Sequence, residues 1–261
     1  MSDADTLLRS GDLDGARSVL VETVRAEPAN QQARMFLFQL LAASGEWDKA
    51  RRQLQTLAQL SGEAQMLATA YGQAIDAERV RAEVFTGRQR ARQHVAVEWL
   101  EGVIDALEHF ASGRVDEGDA ARGAAFDAAP DVPGQFNDVA FDWIADADSR
   151  FGPCFEAIIG GRYGLQAFQE VASITSEGPQ DLRDLIWYPV QIAFRSGQSV
   201  AAFLPARYPG TEGAAEGAQR LGGTTAWIDA SWGQAGFGQR LWTLSDGEDQ
   251  ALLSLRTLRF T

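Results

Sequence analysis

Cysteine is almost missing from this chain of 261 residues, where Cys154 stands alone. A single thiol excludes an internal disulfide and a cysteine-built metal cage, and it fits a reducing compartment. Lysine is as scarce, Lys49 being the only one among 23 basic residues. Histidine occurs only at His94 and His109, without the HxxxH or HExxH spacing of a metal site, so both are expected at the surface. Positive charge is short overall. The formal net charge is −13, shared almost evenly between the two halves, and neither half can neutralise a run of phosphates or settle on an anionic membrane. No apolar run approaches the roughly 18 residues of a spanning helix, and the opening MSDADTLLRSGD has neither the basic nor the apolar region of a secretory signal. The expectation is a soluble cytoplasmic protein, long enough for one large or two medium domains.

What the chain does contain begins with a repeat. Ser10-Gly11-Asp12-Leu13-Asp14-Gly15-Ala16 returns as Ser44-Gly45-Glu46-Trp47-Asp48-Lys49-Ala50, an offset of 34 residues. That is the period of tetratricopeptide (TPR) helical hairpins, in which a small Ala lets two helices approach closely. Pro28 falls where such a repeat ends its second helix. Between the turns, Gln32–Ala43 is apolar at 33, 36, 37, 40 and 41, the spacing of a helix with a broad buried face. Lys49–Leu60, Gln65–Phe85 and Trp99–Ala111 read as further helices. Ser112–Gly118 resembles the earlier turns, with Gly113 three periods after Gly11 and Pro130 answering Pro28. Three degenerate hairpins with one irregular unit are expected over residues 1–130.

Pro130, Pro133 and Gly134 mark a linker, and residues 131–261 change character. Val190–Arg195 alternates, Ser196-Gly197-Gln198 turns, and Val200–Ala206 follows as the second arm of a hairpin. Tyr208-Pro209-Gly210-Thr211 has the residues of a type II turn. Phe141–Ala145, Thr224–Asp229, Gln239–Leu244 and Ala251–Phe260 read as strands and Arg162–Ile174 as strand-bearing. Cys154–Ile159 reads as a short helix between Pro153 and Gly160-Gly161, Gly178–Leu185 as a turn or two of helix, and Glu212–Gln219 as a mobile surface loop. The expected fold class is α+β: TPR-like α-helical hairpins followed by a smaller antiparallel β-rich, barrel-like domain.

The densest set of polar groups among aromatics is Phe141–Pro153, FDWIADADSRFGP. Asp146 and Asp148, two apart, are candidates for a metal site or an acid–base pair, and so for a metal-dependent hydrolase. Arg150, two further on, makes an ion-pair network or a partner contact the simpler reading, and the EF-hand glycine and distal glutamate are missing. Gly233–Gly238 is not GxGxxG and reads as a hairpin loop. Cys154, with no histidine partner near it, is expected to be a buried structural thiol. No cofactor is expected.

Several segments carry a wider resemblance: SGDLDGAR (10–17), RMFLFQLLAASGEWDKA (34–50), RAEVFTGR (81–88), DWIADADSRFGPCFEAIIGGRY (142–163), PQDLRDLIWYP (179–189), PARYPGTE (205–212) and GFGQR (236–240). In order and spacing the chain resembles the ImpE family, also called TagJ, accessory proteins of bacterial type VI secretion. The resemblance implies a cytoplasmic, non-enzymatic adaptor. It would bind the N-terminal helix of the small subunit of the contractile sheath, and through it would be linked to the AAA+ ATPase that disassembles contracted sheaths. It brings no residue-level site. On physical grounds the partner-binding candidates are Arg34, Phe38 and Trp47 on the helical half, with Asp146, Asp148 and Arg150 at the junction.

Overall fold

The computed structural model describes residues 3–261. Seven helices come first: α1 (Asp3–Arg9), α2 (Leu13–Ala26), α3 (Gln31–Ala43), α4 (Trp47–Leu60), α5 (Glu63–Phe85), α6 (Glu98–Ala111) and α7 (Val115–Ala128). α1/α2, α3/α4 and α6/α7 are hairpins, and the 23-residue α5 is the irregular unit, packed on α4. The shared sequence of the turns has one geometry. Gly11 N–H donates to Leu8 O (3.0 Å) and Asp12 N–H to Leu7 O (2.9 Å). The same two bonds recur at Gly45/Glu46 and Gly113/Arg114, each glycine with positive φ. These are Schellman turns, which use glycine because the left-handed conformation strains a Cβ. A fourth, at Gly87/Arg88, closes α5. Helix starts are capped where the sequence supplies an acceptor: Asp12 Oδ1 takes Gly15 N–H (2.8 Å) and Asn30 Oδ1 takes Ala33 N–H (2.9 Å).

Thirteen strands follow. β1 (Gly134–Phe136), β2 (Val139–Phe141), β3 (Ile144–Asp146), β4 (Cys154–Ile159), β5 (Arg162–Ala167), β6 (Val171–Thr175) and β7 (Trp187–Phe194) lead to β8 (Ser199–Pro205). β9 (Thr225–Ala230), β10 (Gly233–Gly238), β11 (Leu241–Leu244), β12 (Asp249–Ala251) and β13 (Thr257–Phe260) complete the chain. All ladders are antiparallel, in an eight-stranded sheet of order β2-β1-β13-β6-β7-β8-β4-β5, a three-stranded β12-β11-β3 and the ribbon β10-β9. The large sheet is open, so the barrel-like closure expected from the short strands does not form. Instead the two faces of the sheet are covered by different partners. On one face Cys154, Ile158, Tyr163, Leu165, Ala167 and Trp187 join a core with the helices. On the other, Phe155, Tyr188, Ile192 and Leu204 pack with Trp242 and Leu244 of the three-stranded sheet. Period-2 alternation along β4 and β7 feeds both cores.

Several local expectations change, and the expected single strands Phe141–Ala145 and Ala251–Phe260 are each interrupted, the second by a 3-10 turn at Leu252–Ser254. Cys154–Ile159 is strand β4, buried on both faces, so its apolar run has no helical stripe. Gly160-Gly161 is the turn of the β4/β5 hairpin rather than a helix end. Gly233–Gly238 is itself a strand, paired with β9 through Ser231-Trp232. Glu212–Gln219 holds part of a 3-10 turn (Thr211–Gly213) and most of a short helix, α8 (Gly217–Arg220). This stretch lies against the helical half, where Arg220 meets Asp14 at 3.7 Å.

Candidate functional site

Asp146, Asp148 and Arg150 lie on consecutive turns that leave β3. Asp146 Oδ1 accepts Asp148 N–H (3.0 Å), and Asp148 Oδ1 accepts Arg150 N–H (3.0 Å). Carboxylates two apart therefore build nested Asx turns. Asp148 also takes the Arg150 guanidinium through both oxygens (2.9 and 2.6 Å) and the Gly236 N–H (2.8 Å), which fastens β10 to this loop. Arg150 stacks over Phe85 of α5 and Trp232, each at 4.9 Å.

The other oxygen of Asp146 leads into a network the sequence did not reveal. Arg240, fully buried, donates to both Asp146 and Glu156. Glu156 sits mid-β4 on the helix-facing side and is 1% exposed. Its carboxylate is bound from the helical half by Arg81 of α5, Nε to Oε1 at 2.7 Å and Nη2 to Oε2 at 2.9 Å, while Tyr163 Oη donates to Oε1 (2.7 Å). Arg81 also reaches the Arg207 carbonyl (2.8 Å), and Arg207 in turn donates to Ala43 O at the end of α3 (2.8 Å). Glu78, one turn before Arg81, accepts from Trp187 Nε1 (3.0 Å). The set joins α3, α5, β3, β4, β5, β7 and Arg240, the residue before β11.

Burial and pairing pull these groups in opposite directions. Burial would raise Glu156, but Arg81 and Arg240 together hold it down at about 2. Burial dominates at Asp146, raised to about 6 against the pull of Arg240, and at Glu78, which is also raised. Burial lowers Arg207 to about 10 and lifts the Cys154 thiol well above its ordinary range. Chemically the junction is closed. Arginine and backbone donors engage Asp146 and Asp148, and among the described residues no group of three or more His, Cys, Asp or Glu is placed to hold a metal. That geometry gives a metal-dependent hydrolase no support.

The helical candidates are placed differently. Phe38 is fully buried, stacked on Trp187 at 6.5 Å and edge-on to Tyr71 at 5.9 Å. Trp47, half-buried, also packs on Trp187 (5.9 Å). Arg34 is half-buried and braces its hairpin, donating to Pro28 O (2.7 Å) and Gln53 Oε1 (2.8 Å). His94, expected at the surface, is partly buried with Nε2 3.0 Å from Ala157 O. The α3 and α5 faces that would line a concave groove are thus occupied by the chain's own strands. One helical groove still open runs between α4 and α5, lined by Arg51, Leu54, Gln55, Ala58, Gln65, Ala68 and Gly72, and another lies among α1, α2 and α3 at Ala4, Leu20, Thr23, Ala33 and Phe36.

Helical repeats locked by buried ion pairs to an open antiparallel sheet define an α+β protein of tetratricopeptide-like hairpins joined to a β-rich half. Similarity to known proteins places it more closely. A tetratricopeptide-repeat model matches residues 7–78, the ImpE protein model matches residues 138–259, and the chain belongs to the ImpE family. It is 42% identical, over 98% of its length and 90% of the relative's, to the type VI secretion system accessory component TagJ of Pseudomonas aeruginosa. A crystal structure of a Vibrio parahaemolyticus protein shares the fold at a TM-score of 0.89 and 19% identity, covering 100% of this chain and 98% of that one.

Proposed function

We propose that this chain is a non-enzymatic accessory component of type VI secretion that acts in the cytoplasm by binding protein. The partner is the N-terminal helix of the small sheath subunit, and through the sheath the chain reaches the ATPase that takes contracted sheaths apart. The observation that carries the reading is the α4/α5 groove. Ala58 and Ala68 leave room for close approach of a second helix, Arg51 closes the Gly72 end by donating to Gly72 O (2.9 Å), and Met66, 81% exposed on α5, and Leu60, 38% exposed at the end of α4, offer apolar anchors. Similarity to a relative named as an accessory component supports the secretion setting. Arg34 and Trp47 are the sequence candidates left partly exposed on the helical half. Phe38, Asp146, Asp148 and Arg150 serve the partner indirectly, by holding the helices and strands in place.

Calorimetric titration with the sheath-subunit helix tests this. Saturable binding at micromolar or tighter affinity with a negative heat-capacity change is expected, and Ala68→Glu, which fills the groove with charge, abolishes it. Absence of heat with the wild-type protein removes this partner. Binding that Ala68→Glu leaves intact keeps the partner and moves the contact elsewhere.

A further inference from the structure

Among the described residues the strand edges of this fold are covered or short, with one exception. An uncovered edge offers a row of free N–H and C=O groups to another chain, so folds shorten, charge or cover it. β5 is a six-residue edge, and residues 92–94 lie along it: Leu165 N–H donates to Arg92 O (2.7 Å) and His94 N–H to Leu165 O (3.0 Å). β2, β3 and β12 are three residues each. β10 turns its outer edge to the body: Gln234 O accepts Ser149 N–H (3.2 Å), Gly236 N–H goes to Asp148, and Gly238 N–H goes to Thr211 Oγ1 (2.9 Å).

Those bonds fix the orientation of β9. Gln234, Gly236 and Gly238 point their backbone groups away from β9, and their register partners are Asp229, Trp227 and Thr225. In an antiparallel ladder paired residues that do not bond each other point outward on both strands. Thr225, Trp227 and Asp229 therefore turn their N–H and C=O groups to an edge that no other described strand covers. This edge is six residues long and has no proline or lysine. Between Thr225 and Gly238 the ribbon carries one charge, Asp229, in a chain of net charge −13, so a second copy placed on this edge meets little local like charge.

We propose that β9 is a self-association edge, on which a second copy of this chain adds its own β9 antiparallel across a two-fold axis at Trp227. In that register Trp227 bonds its symmetry mate, and Thr225 bonds Asp229 of the other copy. No like charges stand opposite, and the outward-pointing groups of both strands are used. The sheet becomes β10-β9-β9-β10. On its outer face Ile228, 50% exposed, lies across from Ala226 of the other copy, beside Ala235 and Phe237, and these side chains join into one apolar strip.

Sedimentation equilibrium over a micromolar-to-millimolar dilution series, with amide exchange read at Trp227 and Asp229, tests the assignment. The wild-type chain is expected to double its mass reversibly with concentration while those two amides become slower to exchange. Ile228→Lys sets two ammonium groups beside the axis, and Asp229→Pro removes one outward N–H while sparing the backbone bonds of the β9–β10 ladder, losing only the exposed Gln234 Nε2 contact to the Asp229 carboxylate (3.2 Å). Each should weaken association by at least about tenfold. A chain that remains monomeric throughout overturns the proposal. So does a dimer that neither variant weakens and whose Trp227 and Asp229 amides exchange as in the monomer. Should either variant fail to fold, exchange in the wild-type chain still decides.

Discussion

Arg81 and Glu156, 75 residues apart in sequence, form a buried two-pronged ion pair at 2.7 and 2.9 Å that crosses from α5 to the middle of β4. Arg240 approaches the same carboxylate from the strand side, so one glutamate neutralises two guanidinium groups drawn from different segments. A charge at this depth is tolerated only because its partners and hydrogen bonds are complete.

Glu156→Gln leaves both arginines buried and short of an anion. Breaking a buried pair from one side costs about 3–5 kcal/mol, and here two pairs lose the same partner. The expected result in urea is a fall in the unfolding midpoint at the large end of that range with an unchanged slope. A loss below about 1 kcal/mol, the level of a surface pair, would show that solvent reaches the junction.

Acid titration separates the carboxylates. Asp146 stands at about 6, above the ordinary 3.8, so its ionised form costs stability above pH 6, and that cost is relieved as pH falls toward 3.8. Glu156 stands at about 2, below the ordinary 4.5, so its stability contribution is full above 4.5 and is lost as pH falls from there toward 2. The melting temperature should therefore hold or rise between pH 7 and 5 and drop steeply below about 4.5. Glu156→Gln should flatten the steep limb. A decline that starts near pH 6 would contradict the assignment at Asp146.

The residues at the junction divide by how local their signals are. Asp146, Asp148 and Arg150 were legible because Asx turns and the Asp148–Arg150 pair are made within three residues. Arg81, Glu156 and Arg240 were not, since each finds its partner only after the helices meet the sheet. A signal did exist: Glu156 interrupts the apolar run CFEAII, where an unpaired carboxylate would be costly. The same run reads as helix in the sequence because a short, mostly apolar stretch between Pro153 and a glycine pair satisfies helix punctuation as well as a strand buried on both sides. The helical turns were legible because Schellman geometry at Gly11, Gly45 and Gly113 demands glycine and repeats with the period. Closure of the sheet was not, because strand length says nothing of what covers each face.

Trp187 joins the two halves more directly than any other aromatic. It is fully buried, touches Phe38, Trp47 and Tyr71 of the helices, and donates to Glu78. Trp187→Ala should cost about 3–5 kcal/mol and release Glu78 from its donor. Because the core is shared, helix signal at 222 nm and near-ultraviolet tryptophan signal should be lost together in the wild-type protein. Two separate transitions would mean that residues 1–130 and 131–261 fold independently.

Two turn glycines offer a matched comparison. Gly11 has φ +82 with nothing within 4 Å of the place a Cβ would take, whereas at Gly45, φ +68, a Cβ would lie 2.7 Å from Glu212 Cγ. Gly11→Ala should cost about 1 kcal/mol for backbone strain alone. Gly45→Ala should cost more, because the 211–213 turn must also shift. Equal losses in thermal unfolding would mean that the Glu212 side chain simply swings aside.

Cys154 provides a reporter that needs no mutation. Its thiol is fully buried, donates to Phe151 O at 3.1 Å, and is kept protonated by burial and by the carboxylates of Asp146 and Glu156. A disulfide reagent such as Ellman's requires thiolate and access, and the folded junction supplies neither. Labelling of the native protein should therefore be slow and follow opening of β4 away from α5, rising with urea in step with global unfolding. Glu156→Gln should accelerate it by the factor that its stability loss predicts. Fast labelling of the folded wild-type chain, with helix and tryptophan signals intact, would mean that the junction opens locally and that its ion pairs do not hold the halves together.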